Sequence, residues 1–206
     1  MRKLIRPKAP DFLTEKLQVE LGERYKKNRE KNKGHKFNYW HTEKVGESTL
    51  YKEIRNKLIE ISDDHCFYCD GYPPLSDDDT IDHFKPKSKP EFYDLVCSWE
   101  NLYLACGHCQ KAKGTEYNDL ILRPDEINYE FDKFFKYDSD NDEVIVNLGA
   151  DDLSQLRAEK TIEVFDFNHV GLKKLRGFFR KVYSQDPQIN INDLGYRFCL
   201  NFQQTI

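Results

Sequence analysis

Two Cys-x-x-Cys pairs place the strongest constraint on what this 206-residue chain can fold into. The first pair is Cys66 and Cys69, and the second is Cys106 and Cys109. Each turn brings two thiolates to one side of a tight loop, and two such turns complete a tetrahedral Zn²⁺ site with Zn–S bonds of about 2.3 Å. Sulfur would fill all four positions, so we predict a structural zinc site that supplies folding energy. Buried thiols without metal and a redox dithiol are the alternatives. His108 could replace a cysteine ligand, although four sulfurs make this unnecessary.

The hydropathy of the chain predicts its cellular compartment, and the compartment in turn predicts the state of its cysteines. The chain has no run of about 18 apolar residues, and no apolar region follows its basic start. A membrane-spanning helix and a secretion signal are therefore not expected. We expect a cytoplasmic protein with no membrane contact, in which cysteines are thiols or metal ligands rather than disulfides. Cys97 and Cys199 stand alone in the sequence.

Charge is distributed unevenly along the chain, whose formal net charge is −4. Residues 1–60 contain 16 Lys/Arg and 9 Asp/Glu, a net of +7, and the remainder contains 16 and 27, a net of −11. A basic arm beside an acidic body could hold a phosphate backbone near a metal site. The alternative is that the basic run at residues 26–29 is simply the solvated face of a helix.

Apolar periodicity and capping residues predict helices towards both ends of the chain. Residues 31–42 interrupt the pattern and are expected to form a loop. Asp151 and Asn168 are predicted to cap the third and fourth helices. The helices are expected over residues 11–31, 48–62, 152–165, 169–183 and 190–203, and a hairpin over residues 131–137 and 144–146 around a turn at residues 139–142.

The sequence divides into three segments. Residues 1–62 are expected to form a helical, basic segment, residues 63–124 a central unit, and residues 125–206 a hairpin followed by helices that dock on a partner protein. The central unit lacks long periodicity and is rich in Gly, Pro and Asp, so we expect something other than a large core to hold it. We interpret its acidic run at residues 77–79 as a solvated turn. The expected fold class is α+β, a compact unit flanked by N- and C-terminal helices.

The interval between the cysteine pairs carries further motifs. Asp82-His83 is followed by Pro86, and Asn101-Leu102 leads through a short apolar run into the second cysteine pair. This pair is followed by Gln110 and then by Lys-Ala-Lys-Gly at residues 111–114. This order, CxxC, DHxxP, NLxLxCxxC and KxKG, closely resembles the zinc-bearing HNH endonucleases. The resemblance implies a zinc-stabilised ββα-metal core. Its first strand carries the Asp-His pair, its hairpin holds the asparagine, and its helix follows the second cysteine pair.

Phosphodiester hydrolysis explains why these residue types are needed. It requires a nucleophilic water, in-line geometry and charge stabilisation at the leaving oxygen. His83 is a suitable general base because its unperturbed pKa lies near 6.5. Asp82 is a hard oxygen ligand suited to Mg²⁺ or Mn²⁺, although a role at the strand end is the alternative. The resemblance implies the same roles, with Asn101 fixing the loop and the orientation of the histidine.

Three residues after the second cysteine pair complete the candidate site. The HNH family usually has His or Asn directly after this pair as its last metal ligand, whereas this chain has Gln110. A glutamine carbonyl can coordinate a hard cation, so Gln110 is the candidate last ligand, although its longer side chain must reach the metal differently. Lys111 and Lys113 are candidate phosphate contacts, and simple surface charge is the alternative.

A closer resemblance covers most of the chain. His83 to Lys89, Trp99 and the run from Asn101 to Cys106 look like the PtuB-like nucleases of Septu-type anti-phage systems, including those attached to retrons. Downstream matches are residues 122–125, 134–137, Ala158, Thr161, Ile162, Leu172 and Arg176. The resemblance implies a PtuA-like ATPase partner related to ABC and SMC proteins. For the retron-attached systems it also implies a reverse transcriptase and its msDNA.

These observations predict a metal-dependent HNH endonuclease, the effector subunit of a bacterial anti-phage complex with an ATPase. DNA is the default substrate, and RNA, including tRNA, is the alternative because both polymers share the phosphodiester. A second hypothesis is a zinc-stabilised adaptor that binds nucleic acid or protein without catalysis. Gln110 and the acidic net charge motivate the adaptor. The presence of both Asp82 and His83 argues against it.

Overall fold

The computed structural model describes residues 1–72 and 80–200. The acidic run at residues 77–79 and the last residues of the helix predicted over 190–203 lie outside this described part. The described cysteines form no disulfide, as expected for thiols or metal ligands. Within the same residues, no helix is both long enough and apolar enough to cross a membrane.

Helices and two-stranded sheets alternate along the described chain. The helices are α1 (Glu15–Lys31), α2 (Tyr39–Thr42), α3 (Leu50–Ser62), α4 (Gly107–Lys113), α5 (Phe131–Phe134), α6 (Asp152–Phe165) and α7 (Val170–Gln185). Antiparallel pairs are formed by β1 (Lys44–Val45) with β2 (Ser48–Thr49), β3 (Thr80–His83) with β4 (Leu102–Ala105), and β5 (Phe135–Asp138) with β6 (Glu143–Val146). Short 3₁₀ helices lie at Pro90–Leu95, Trp99–Asn101, Ile191–Asp193 and Arg197–Cys199.

The N-terminal helices are confirmed with shifted starts. Thr14 caps α1, because its hydroxyl accepts a hydrogen bond from the Leu17 amide at 3.2 Å, so the helix starts later than residue 11. Thr49 caps α3 in the same way. The loop predicted over residues 31–42 is wrong at its end, where α2 forms. Burial of Tyr39 and Trp40 stabilises this short helix, and no apolar periodicity in the sequence predicts it.

The C-terminal elements follow the prediction for α6 and depart from it afterwards. Asp151 caps α6 as predicted, accepting from the Ser154 amide at 3.0 Å. The cap predicted for Asn168 is wrong: His169 caps α7, and the Asn168 amide instead bonds both the N–H and the C=O of Val144. The hairpin starts at residue 135 because residues 131–134 form α5.

The final helix predicted over residues 190–203 is also wrong for its described part. Two 3₁₀ turns occupy it instead. Tyr196 between them has φ of 59°, a left-handed conformation that interrupts a right-handed helix.

The central unit is a strand–strand–helix arrangement. Strand β3 pairs with β4 so that Asp82 lies opposite Tyr103 and His83 opposite Leu102. Helix α4 comes next, and its N-cap is Cys106. The helix therefore begins inside the second cysteine pair, not after it as expected. This order of elements, with the four cysteines beside it, is the zinc-type ββα-metal core that the sequence predicts.

This unit has more core than its sequence suggests. Aromatic side chains fill it, including Phe67, Tyr68 and Tyr103, which are fully or almost fully buried. The first residues of the chain pack on it as well: the Arg6 guanidinium lies 4.5 Å from the Tyr103 ring centroid and pairs with Asp125 at 2.5 Å. The expectation of a unit with little core was wrong, because irregular segments bury aromatics without any helical or strand periodicity.

Candidate active site

The four predicted cysteines converge in space. Their sulfur atoms all lie within 4.8 Å of one another, and those of Cys69 and Cys106 are 3.8 Å apart. A tetrahedron with Zn–S bonds of about 2.3 Å has S···S edges of about 3.8 Å. Amide groups also point at the sulfurs: Cys106 N–H donates to Cys66 at 3.3 Å and Gly71 N–H to Cys69 at 3.4 Å. The cluster therefore has the size and the amide donors expected around a zinc–thiolate centre.

His108 takes no part in this cluster. Its Nε2 lies 3.2 Å from the carbonyl oxygen of Asp166, and its ring lies 4.9 Å from that of His169. Four sulfurs thus form the donor set, and the alternative of a histidine ligand is not supported. Cys97 and Cys199 are buried elsewhere as free thiols.

His83 ends strand β3 with its ring buried and its tautomer determined by one contact. Its Nε2 lies 2.9 Å from the carbonyl oxygen of Val96. Because a carbonyl only accepts, Nε2 carries the proton and Nδ1 is left as the basic nitrogen of the neutral ring. The ring packs 5.5 Å from Trp40 and 6.3 Å from Phe37, measured between centroids. Two aromatic side chains from the N-terminal segment therefore hold the histidine in place.

The pKa of His83 is held well below its ordinary value of 6.5. Burial is the main cause, because it penalises the charged imidazolium, and the positive charges of Lys87 and Lys113 act in the same direction. The hydrogen bond to Val96 opposes this shift. His83 is therefore neutral at pH 7, the state in which a general base can accept a proton.

Asp82 is buried beside His83 and is held by two donors. Tyr68 donates its hydroxyl to Oδ2 at 2.7 Å, and the Lys113 ammonium lies 3.0 Å from the same oxygen. Burial raises the pKa of Asp82, and Lys113 and Tyr68 counteract part of this rise. Among the described residues all hydrogen bonds of this carboxylate use Oδ2, so Oδ1 remains for another ligand.

The position of Lys113 corrects its predicted role. Its side chain is 1% exposed, and its ammonium donates to the backbone carbonyl of His83 at 2.8 Å in addition to pairing with Asp82. A buried, paired ammonium is not a surface contact for phosphate, so Lys113 instead joins α4 to β3 and compensates the charge of Asp82. Lys111 is exposed on α4, and its predicted phosphate contact stays a prediction.

Asn101 bonds across the loop that connects β3 to β4. Its Oδ1 accepts from the Lys85 amide at 2.7 Å, and its Nδ2 donates to the carbonyl oxygens of Lys85 and Leu95, both at 3.1 Å. Leu95 directly precedes Val96, whose carbonyl orients His83. The geometry is that of a loop-positioning residue, the role that the resemblance implies.

Three of the predicted site residues line one pocket. It has a volume of about 340 Å³, and Asp82, His83 and Gln110 all line it, together with Lys87 from the loop. The Gln110 side chain makes no hydrogen bond within residues 1–72 and 80–200, which leaves its carbonyl for a cation. One carboxylate oxygen and one amide oxygen are the hard donors that Mg²⁺ and Mn²⁺ prefer.

Sequence reasoning missed three residues of this site. Tyr68 lies inside the first cysteine pair and bonds Asp82, Trp40 lies in a segment predicted as a loop, and Lys87 lies in the motif after His83 without having been assigned a role. No local pattern marks Tyr68 or Trp40. The only signal for Lys87 is its place four residues after the catalytic candidate.

Comparison with known proteins agrees with this geometry. Residues 66–116 match the family model described as HNH endonuclease. This segment is an HNH domain. It contains both cysteine pairs, β3, β4 and α4, and all the predicted site residues.

A curated relative extends the comparison. The chain is 28% identical over 80 residues to the Septu protein PtuB of Bacillus mycoides (strain KBAB4). The matched region is 32% of this chain and 27% of that relative, so the chain spans about a quarter of the relative's length. The sequence comparison supports an HNH, PtuB-like protein, as the motifs predict.

Proposed function

We propose that this chain is a metal-dependent endonuclease that hydrolyses phosphodiester bonds of nucleic acid. The observation that carries the proposal is the state of His83 within the HNH domain: a neutral ring whose Nε2 is bound to Val96, beside Asp82 in a shared pocket. Its unprotonated Nδ1 is the atom a general base requires.

The reaction follows from these contacts. His83 Nδ1 takes a proton from a water molecule while the water oxygen bonds to phosphorus, and the P–O bond on the opposite side breaks in line with the attack. The leaving oxygen takes its proton from solvent. As the ring becomes positive, the Nε2–H bond to Val96 becomes charge-assisted and stabilises it. Asn101 keeps that carbonyl in position through its bond to Leu95.

Two different metal ions fit two donor sets. The four cysteines would hold Zn²⁺, which would stabilise the fold and leave no open position for substrate. Asp82 Oδ1 and the Gln110 carbonyl would hold Mg²⁺ or Mn²⁺ at the pocket. When bound, that cation supplies positive charge to the phosphate and its leaving oxygen. Lys113 and Tyr68 orient the Asp82 carboxylate and oppose the rise of its pKa that burial causes.

We further propose that the chain acts in the cytoplasm as the effector of a Septu-type anti-phage complex with a PtuA-like ATPase. The likeness to a Septu protein PtuB supports this, as do large apolar side chains left exposed on the C-terminal helices, among them Leu153, Val170 and Phe178 at 59%, 61% and 59%. A reverse transcriptase and its msDNA would join the complex in a retron-attached system. DNA is the default substrate, with RNA including tRNA as the alternative.

The test is cleavage of plasmid DNA and total RNA by the chain with its ATPase, in Mg²⁺ or Mn²⁺. His83→Ala should abolish the products. The matched control is His108→Ala, which removes a histidine of the same domain that lies outside the pocket and should leave cleavage unchanged. Identical products from wild type and His83→Ala would exclude the nuclease function.

The second candidate, a non-catalytic adaptor, is favoured by two observations on the cation ligands. Lys113 occupies one oxygen of Asp82, and the last ligand position holds Gln110, so the cation would have fewer anionic donors than a carboxylate pair offers. An adaptor would bind nucleic acid or the ATPase equally well with His83→Ala and would cleave neither substrate. Binding of nucleic acid or of the ATPase by the wild type, without cleavage of plasmid DNA or total RNA, would identify it.

A further inference from the structure

Lys87 is the only lysine that lines the active-site pocket within the residues that the structure describes. No carboxylate of residues 1–72 and 80–200 lies within ion-pair distance of its ammonium, whereas Lys113 is paired with Asp82 at 3.0 Å. The pocket lining thus combines the Lys87 ammonium, the Asp82 carboxylate and a neutral His83. The Asp82 charge acts on Lys87 from beyond ion-pair distance, while its Oδ2 pairs with Lys113. A partly buried positive charge of this kind is stabilised by an anion.

The position of Lys87 is set from outside the HNH domain. Tyr25 of α1 donates its hydroxyl to the Lys87 carbonyl at 3.0 Å. The ammonium lies 5.9 Å from the ring centroid of Trp40, which in turn packs on His83. Tyr25 and Trp40 are both buried. The N-terminal segment therefore helps to place this charge in the lining of the pocket that His83 also lines.

We propose that Lys87 binds a phosphate of the nucleic-acid backbone and holds it next to His83. This inference rests on the proposed function and adds the residue that positions the substrate. It replaces the phosphate contact predicted for Lys113, whose ammonium is buried and paired. An ammonium acts on phosphate as a point charge and does not read bases, so the contact serves any sequence.

Binding measured without cleavage tests this role. A short fluorescein-labelled single-stranded DNA is titrated with the full chain, with Ca²⁺ in place of the catalytic cation, and anisotropy is read between about 50 and 200 mM salt. We expect Lys87→Gln to bind about tenfold more weakly, as for a lost charge-assisted hydrogen bond. The slope of log K against log salt should fall by about 0.7, one phosphate contact on a single strand. Lys87→Arg should restore both.

The matched control is Lys89→Gln, the same change of charge in the same loop at a residue that does not line the pocket. Equal affinity and equal salt slope for Lys87→Gln and Lys89→Gln would overturn the assignment. So would a wild type that does not bind at the lowest salt. Unchanged thermal unfolding and zinc content of Lys87→Gln show that the variant is folded.

The two proposals fail separately. If wild type and His83→Ala give the same products, the nuclease function fails while the binding result stands. If Lys87→Gln binds like Lys89→Gln while only His83→Ala stops cleavage, the nuclease function stands and the phosphate contact is excluded.

Discussion

Replacing Gly22 by alanine should disturb His83 although Gly22 lies outside the HNH segment, residues 66–116. Helix α1 passes the 3₁₀ helix Pro90–Leu95 at Gly22. A Cβ placed there would lie 2.9 Å from the carbonyl carbon of Asp94 and 3.1 Å from its Cα, and closer still to its carbonyl oxygen. These atoms are backbone and cannot rotate away, so the 3₁₀ helix must move.

The size of the effect follows from these distances. Carbon atoms in contact prefer about 3.5–4.0 Å, so the backbone of the 3₁₀ helix must shift by at least about 0.6 Å. Overpacking of this kind costs about 1–3 kcal/mol, against a gain of up to about 1 kcal/mol from replacing glycine inside a helix. The shift is transmitted to Leu95 and Val96, whose carbonyls bind Asn101 and His83. A misplacement approaching about 1 Å near the chemistry can lower the rate about 100-fold.

Urea unfolding and single-turnover cleavage measure the two effects. We expect Gly22→Ala to lose about 1–2 kcal/mol of stability and to cleave much more slowly while still folded. Gly171→Ala is the control, because a Cβ there meets only side-chain atoms, the nearest being Nδ1 of the capping residue His169 at 3.2 Å. Any cost there falls on the cap of α7 and not on the backbone beside His83. If Gly22→Ala cleaved as fast as wild type and unfolded no earlier, the coupling between α1 and His83 would be refuted.

Three further predictions concern charge, protonation and metal. Arg197→Met should lower the free energy of unfolding, measured in urea, by about 3–5 kcal/mol. It leaves the charge of Asp70 without its partner, because Asp70 pairs with Arg197 at 2.6 Å and both side chains are almost fully buried. Adding Asp70→Asn should recover part of the loss, and no recovery would contradict the charge argument. The pKa of His83 is depressed in the folded chain, so below pH 6.5 the unfolded state binds a proton that the native state does not. His83 should therefore make stability fall as the pH drops below 6.5, and the acid limb of the cleavage rate should lie well under 6.5; a limb at or above 6.5 would show that the base is not the buried histidine. Removing zinc with a chelator should abolish cooperative thermal unfolding, followed by circular dichroism beside metal analysis, since the four cysteines would lose their common ligand; purified protein with no zinc and an unchanged melting temperature would count against the site.

Much of the candidate site could be predicted because its signals are local. The spacing of Cys66 and Cys69 predicts a pair of metal ligands, and so does the spacing of Cys106 and Cys109. Asp82 and His83 lie on a strand between the two pairs, and that strand pairs with the apolar run after Asn101, as the family's order of motifs implies. Helix α6 and its N-cap Asp151 could also be predicted, because the capping residue and the apolar periodicity both belong to one short stretch of sequence.

The tertiary structure alone decided what the neighbours of these residues do. Lys113 was predicted as a phosphate contact from its sequence context, but its side chain is buried and pairs with Asp82. Trp40 belongs to no periodic pattern, yet it packs on His83. Arg197 reaches across most of the chain to Asp70. The physical reason is the same in each case: local patterns report how a segment bonds to itself, whereas ion pairs and ring contacts depend on which distant segments fold into contact. A few short motifs in the sequence thus determine which residues can carry out the chemistry of the site. The charge balance and rigidity of the site depend on the N- and C-terminal segments that pack around those motifs.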